Sequence, residues 1–248
     1  MNIVVCISQT PDTATKIAIG ADGKAIDPKG VKFVLNPYDE FAVEEGLRQK
    51  QATGGTVTLL CVGGEGAKEA VRLGLAMGAD KAILIKDEAK ADSYSVAANL
   101  AEVIKSIAPE LVLLGRQSVD YDSALIGPML AELLGMPCVS FVTKLDITGG
   151  AVRAERDIEG GKEVVESSLP CIITAQKGLN EPRYPKLPDI MKAKSKPIEE
   201  RASIGGEARV ETSEMRKPGQ KGNGKVMEFS PENVKELVRL LHEEAKVI

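Results

Sequence analysis

Apolar and polar positions follow two different rhythms along this chain, and the change falls near residue 138. Before it, short apolar runs alternate with longer amphipathic segments. Ile3, Val4, Val5 and Ile7 form a run typical of a strand buried on both faces, so residues 2–7 read as a strand. Thr56–Val62, Ala82–Ile85 and Leu111–Leu114 repeat that pattern. Helical spacing fills the intervals. It follows Asn36-Pro37-Tyr38-Asp39 and runs through about Lys50, with Ala42, Val43 and Leu47 on one face. It returns over Glu65–Met77, closed by Gly78, over Ser93–Ile107, closed by Pro109, and over Asp122–Leu134, closed by Gly135. Alternating strands and helices predict an α/β fold: a doubly wound, mostly parallel, Rossmann-like sheet with helices on both faces.

After residue 138 the period becomes two. Ser140–Ile147, Ala151–Asp157 and Lys162–Ser168 alternate apolar with polar, and Gly149-Gly150 and Gly160-Gly161 supply hairpin turns, so an antiparallel extension is expected. Cys171–Ala175 reads as a last buried strand. Residues 195–228 are polar, rich in Gly, Lys and Glu, and without clear period. A helix returns over Pro231–Lys246, where Val234, Leu237, Val238 and Leu241 share a face and Ser230 with Pro231 forms the start. The chain thus divides into a domain over 1–194 and a C-terminal arm and helix over 195–248. The helix must bury its apolar face on the home domain or on a partner subunit.

Composition narrows the chemistry. With 43% apolar residues in 248, the chain can bury a sizeable core, and a net charge of −4 gives no basic excess for nucleic acid. Aromatics are 3% and Trp is absent, so any binding surface relies on aliphatic side chains, backbone amides and charge. Cys6, Cys61, Cys138 and Cys171 stand singly, without C-x-x-C, and His242 is the one histidine, which argues against zinc and for reduced buried thiols. The N-terminus begins a strand without signal-peptide pattern, and no apolar run has membrane-spanning length. A soluble, cytoplasmic protein is expected, with an organelle location after transit-peptide removal left open.

Three segments could carry a ligand. Gly115-Arg116-Gln117-Ser118-Val119-Asp120-Tyr121-Asp122-Ser123-Ala124-Leu125-Ile126-Gly127-Pro128 joins a strand end to a helix start. Pro128 belongs within the first turn or so, which makes Asp122 or Ser123 the expected cap. Amides from Ser123 to Gly127 would then face outward and, with the helix dipole, suit a phosphate, to which Arg116 could add a bond. Asp120 and Asp122 oppose this unless they turn to ribose or backbone, and an ordinary capped helix is the alternative. Asn36-Pro37-Tyr38-Asp39 precedes a helix and exposes backbone that could read an adenine edge, or is a plain turn. Val62-Gly63-Gly64-Glu65-Gly66 allows close ligand approach, or a tight turn. No nucleophile elbow, P-loop or G-x-G-x-x-G occurs, so binding is expected without an evident acid, base or nucleophile.

The segment Asn180-Glu181-Pro182-Arg183-Tyr184-Pro185-Lys186-Leu187-Pro188-Asp189-Ile190-Met191-Lys192-Ala193-Lys194 has three prolines in seven residues, which excludes a regular helix or central strand there. Leu187, Ile190 and Met191 sit in a basic frame of Arg183, Lys186, Lys192 and Lys194, as a docking element would, or as a surface loop folded on its own domain would.

Asn36–Asp39 with Glu44-Glu45, then Leu113–Ala131, then Asn180–Lys194 occur in an order that resembles the electron transfer flavoprotein beta subunit over nearly the whole chain, least at 195–228. The resemblance implies an adenine-nucleotide-binding domain, an electron carrier rather than an enzyme, paired with an alpha subunit that holds most of the redox FAD. It implies AMP in this subunit, or a second FAD and NADH use in the electron-bifurcating members. Nucleotide contacts carry over to Cys6, Asn36, Pro37, Tyr38, Asp39, Val62 and Asp120 through Ala131, which includes Tyr121, Leu125, Ile126, Met129 and Leu130. A flavin contact falls near Asp12-Thr13. Docking of dehydrogenases carries over to Arg183, Tyr184, Leu187, Pro188, Ile190, Met191, Lys192 and Lys194, with Leu187 as anchor. Glu181 and the Met191–Lys194 ending are similar to the branch that serves acyl-CoA dehydrogenases and passes electrons to a quinone-linked oxidoreductase. A stand-alone nucleotide-binding, stress-type protein is the reading from another class.

Overall fold

A computed structural model describes residues 1–87, 92–205, 208–219 and 224–248. Parts of the 195–228 arm therefore lie outside the described residues.

The first half builds the parallel sheet. Strand β1 (Asn2–Ile7) is followed by the short antiparallel pair β2 (Gln9–Pro11) and β3 (Phe33–Leu35), then α1 (Pro37–Thr53), β4 (Thr56–Gly63), α2 (Lys68–Met77), β5 (Lys81–Lys86), α3 (Ser93–Ile107) and β6 (Leu111–Gly115). The uniformly apolar runs become the central strands because both sheet faces are covered. Ile3 and Val5 pack with α1 and α2, whereas Val4 packs with α3 and the helix after β6. Asp92 starts α3 by accepting from Ser95 N at 2.8 Å, and Ala108, with φ of 48°, ends it.

The second half widens the sheet. After α4 (Ile126–Leu134) come β7 (Cys138–Thr148), β8 (Ala151–Ile158), β9 (Gly161–Ser168) and β10 (Cys171–Ala175), then α5 (Leu187–Ser195), β11 (Glu199–Ala202) and α6 (Pro231–Arg239). Among the described residues the main sheet runs β11-β5-β4-β1-β6-β10-β7-β8-β9. β7 is the junction: parallel to β10 on one side, antiparallel to β8 on the other. The expected doubly wound sheet with an antiparallel extension is therefore present.

Four local expectations need correction. The helix expected from Asp122 begins at Ile126, because Asp122 and Ala124 have φ of 51° and 52° and cannot be helical. Leu125 is its cap residue, so neither Asp122 nor Ser123 caps it. The second hairpin turns at Glu159-Gly160, with Gly161 already in β9. The segment from Asn180 is helical in its second half: Pro188 stands in the first turn of α5, where a missing N–H costs nothing, and no proline follows within it. The arm also contributes β11, paired parallel to β5 over Glu199–Ala202, where no period was visible.

The C-terminal helix starts as expected, with Ser230 Oγ accepting from Asn233 N at 3.0 Å. Its apolar face stays open: Val234, Leu237 and Val238 are 47%, 45% and 50% exposed. Among the described residues no helix is long and apolar enough to cross a membrane, and no cluster of metal-ligating side chains occurs.

Candidate functional site

The chain reverses its direction of growth between β1 and β6. From β1 it extends through β4 to β5, then returns to lay β6 on the other side of β1. At such a switch point the loops leave in opposite directions and open a crevice at the carboxyl ends of the strands. Ile7 and Gly115, the last residues of β1 and β6, lie at its floor.

Asp39, in the first turn of α1, ties this floor together. Its Oδ2 accepts from Ser8 N at 2.7 Å and Ser8 Oγ at 2.8 Å, and its Oδ1 accepts from Gly115 N at 3.0 Å. Burial pushes its carboxyl up to about 6, with the hydrogen bonds from Ser8 and Gly115 opposing. Asn36 works alongside: its Nδ2 donates to Gln117 O at 2.9 Å, and its Oδ1 accepts from Val119 N at 3.3 Å. Both side chains are buried, so at Asn36–Asp39 they hold the loops.

The loop after β6 is shaped rather than extended. Asp122 N donates to Ser118 O at 3.0 Å, Gln117 Nε2 bonds Asp122 Oδ1, and Asp120 Oδ1 accepts from its neighbour Tyr121 N at 3.0 Å. The two aspartates that would repel phosphate are thus engaged locally. The amides of Ser123 to Gly127 donate to no other described residue, and they lead into the N-terminus of α4. A run of free amides at a helix start fits an anion. From Met129 onward the amides serve the helix, and Leu130 is wholly buried in the core shared with Cys6. Met129 and Ala131 pack against the same core. Gly127 has a packing duty: a Cβ there would lie 2.5 Å from Thr174 Cγ2, so its bareness lets α4 rest on β10.

Val62 and Gly63 end β4 at the same edge, and a Cβ on Gly63 would come within 3.1 Å of Ala67. The structure thus gathers Asn36–Asp39, Val62, Cys6 and the 120–127 loop at one sheet edge. Arg116 stands between two aromatic rings at this edge. Its guanidinium lies 5.1 Å from the Tyr38 ring centroid and 5.3 Å from that of Phe141, and its buried Nε has no partner among the described residues. Phe141, with φ of 62°, was not legible in the sequence, because only the tertiary fold places it there. Asp12 serves its own loop, accepting from Ala14 N at 3.0 Å, and that bond draws its carboxyl below the usual range. Thr13 is exposed beside it. Burial pushes the Cys61 thiol up to about 12 and Cys6 higher still, so both are inert under ordinary conditions.

The basic, apolar segment lies across α1 and α2. Tyr184, Leu187 and Met191 are 93%, 72% and 58% exposed, and Ile190 borders on exposed. Lys186, Lys192 and Lys194 surround them in solvent, while Arg183 folds inward onto Glu44.

A doubly wound α/β domain with its candidate loops gathered at the switch point is the class these features define. Within it, the chain belongs to the electron transfer flavoprotein family: residues 24–204 match the electron transfer flavoprotein domain. It is 44% identical to the electron transfer flavoprotein subunit beta of Bacillus subtilis, over 100% of both chains. It is 39% identical to that of Bradyrhizobium diazoefficiens, again over 100% of both. It is 38% identical to protein FixA of Azotobacter vinelandii, over 78% of this chain and 72% of that protein.

Proposed function

We propose that this chain is the beta subunit of a heterodimeric electron transfer flavoprotein, a cytoplasmic electron carrier that holds AMP and pairs with an alpha subunit holding most of the redox FAD. Full-length similarity to proteins bearing that subunit name supports the pairing. The observation that carries the nucleotide reading is the run of amides from Ser123 to Gly127 without acceptors, at a helix start on the switch-point edge. The phosphate would lie on those amides, with Asp120 and Asp122 withdrawn into local bonds. The adenosine would lie toward Tyr38, Val62 and the end of β1. Bound there, AMP supplies structure rather than redox chemistry.

Electrons enter from a flavin dehydrogenase, of the acyl-CoA dehydrogenase type, and leave to a quinone-reducing oxidoreductase. Leu187 is the anchor for such partners, because it is exposed on a short helix beside Met191 and framed by lysines. The open face of α6 and the arm before it cover the alpha subunit. Coexpression with the alpha subunit, purification and extraction of bound nucleotides test the reading. One FAD and one AMP per heterodimer are expected. Two FAD and no AMP would replace it with the electron-bifurcating reading.

A further inference from the structure

The docking segment does not hang from the domain by its ends alone. It is held at two places by side chains of the helices beneath it. At its start, Arg183 forms a fork on Glu44 of α1: Nε donates to Oε2 at 2.7 Å and Nη2 to Oε1 at 2.9 Å, and the Arg183 backbone N adds a third bond to Oε2 at 3.2 Å. Glu44 is 6% exposed, whereas the Arg183 side chain stays 35% exposed, so the carboxylate is the buried member of the pair. Asn180 reinforces it by donating to Phe41 O at 3.0 Å and Glu45 Oε2 at 3.1 Å.

At its far end two helices cap each other. Arg72 of α2 donates through Nη1 to Ala193 O at 2.6 Å and also to Lys196 O, at the C-terminus of α5. Lys196 in turn donates to Leu75 O at 3.3 Å and Ala79 O at 2.7 Å, at the C-terminus of α2. Each cation meets carbonyls at or just beyond a helix end, where the backbone ladder runs out; Ala193 O also accepts from Lys196 N at 3.3 Å. Ala193 is the buried residue of α5, and so the helix has one seated face and one face free to meet a partner.

We infer that Glu44 and Arg72 are positioning residues for partner docking: they hold residues 180–196 in the binding conformation before the partner arrives. This rests on the docking reading of Leu187. A nine-residue helix is marginal by itself in water, so without such clamps its order would have to be gained on binding. Ordering before encounter removes that cost from the affinity. The clamps never touch the partner and act through Leu187 and Met191.

The test uses the heterodimer purified with its alpha subunit, in three variants: Glu44→Ala, Arg72→Met and Leu187→Ala. Arg72→Met keeps the aliphatic stem on α2 and removes only the donor head. Amide hydrogen exchange over residues 187–195 should accelerate about tenfold in the first two variants, and the KM for the dehydrogenase should rise by a similar factor with kcat unchanged. Unchanged exchange in both overturns the inference. Faster exchange with an unchanged KM also overturns it when Leu187→Ala raises KM. If Leu187→Ala leaves KM unchanged, the docking reading fails instead, and the clamps are then judged on the exchange result alone.

Discussion

Asp39 and Gly115 fit so closely that the oxygen bonded to the Gly115 amide also fills the space a side chain at 115 would need. The amide of Gly115 donates to Asp39 Oδ1 at 3.0 Å, and a Cβ built on Gly115 would stand 2.4 Å from that same oxygen. Gly115→Ala should therefore destabilise the domain by about 1–3 kcal/mol, because the carboxylate has nowhere to retreat. Urea unfolding measures it, and a change below a few tenths of a kcal/mol would contradict the fit.

The same carboxyl gives a pH signature. Burial raises Asp39 from 3.8 to about 6, so the folded state binds its proton more tightly than the unfolded chain does. Its contribution to stability is full below about 4 and is lost as pH rises through about 6. Asp39→Asn cannot titrate. The stability of the native protein relative to this variant should fall as pH rises from 4 to 7, read from urea midpoints in parallel. A pH-independent difference would show that the carboxyl does not titrate in that window.

Gly127 and Thr174 offer a rescue experiment. Gly127→Ala brings a methyl to 2.5 Å from Thr174 Cγ2 and should push α4 off β10, lowering the melting temperature and, on the proposed AMP reading, the nucleotide content. Thr174→Ser removes that methyl and keeps the hydroxyl that accepts from Phe141 N at 2.9 Å. The double variant should recover most of the lost stability and nucleotide content. Failure to recover either would mean that Gly127 is required by the ligand itself and not by packing.

Leu187→Ala isolates docking from folding. Burial of one leucine in a partner pocket contributes roughly 1.5–3 kcal/mol, so reduction by the dehydrogenase should slow about tenfold or more. Reduction of the same flavin by dithionite and the melting temperature should stay unchanged, because the side chain is 72% exposed. Equal losses in both assays would make Leu187 a structural residue.

Much of this architecture was legible because the signals were local. Ile3–Ile7, Leu59–Cys61 and Leu111–Leu114 could only be doubly covered strands, and Gly78 and Gly135 mark helix ends where the structure has them. The corrections arise where local chemistry misleads. Asp122 and Ser123 are good cap residues, yet the left-handed turns at Asp122 and Ala124, with Asp122 bonded to Ser118 and Gln117, defer the helix to Ile126. Three prolines suggested that Asn180–Lys194 is irregular, but the last of them merely opens a helix. Asn36, Asp39 and Arg116 stand at the expected edge, but the sequence could not show that the first two face inward or that Arg116 lies between two rings. Those orientations depend on Ser8, Gln117 and Phe141, which are remote in the chain.

The placement of β11 also determines when the sheet can be finished. Its partner on β5 is the Ile83–Lys86 stretch, made early in synthesis, whereas Glu199–Ala202 emerges near the end. Until then the outer backbone groups of β5 have no strand beside them, and an open parallel edge can recruit another chain. Closure of so long a loop is slow compared with local helix formation. The nascent chain therefore carries one open flank from the completion of β5 until residue 202 is made, and truncation before residue 199 makes that exposure permanent. The opposite flank is guarded in the finished fold by the exposed charges Lys162, Glu163 and Glu166 on β9. The β5 flank depends on the last quarter of the chain for its protection.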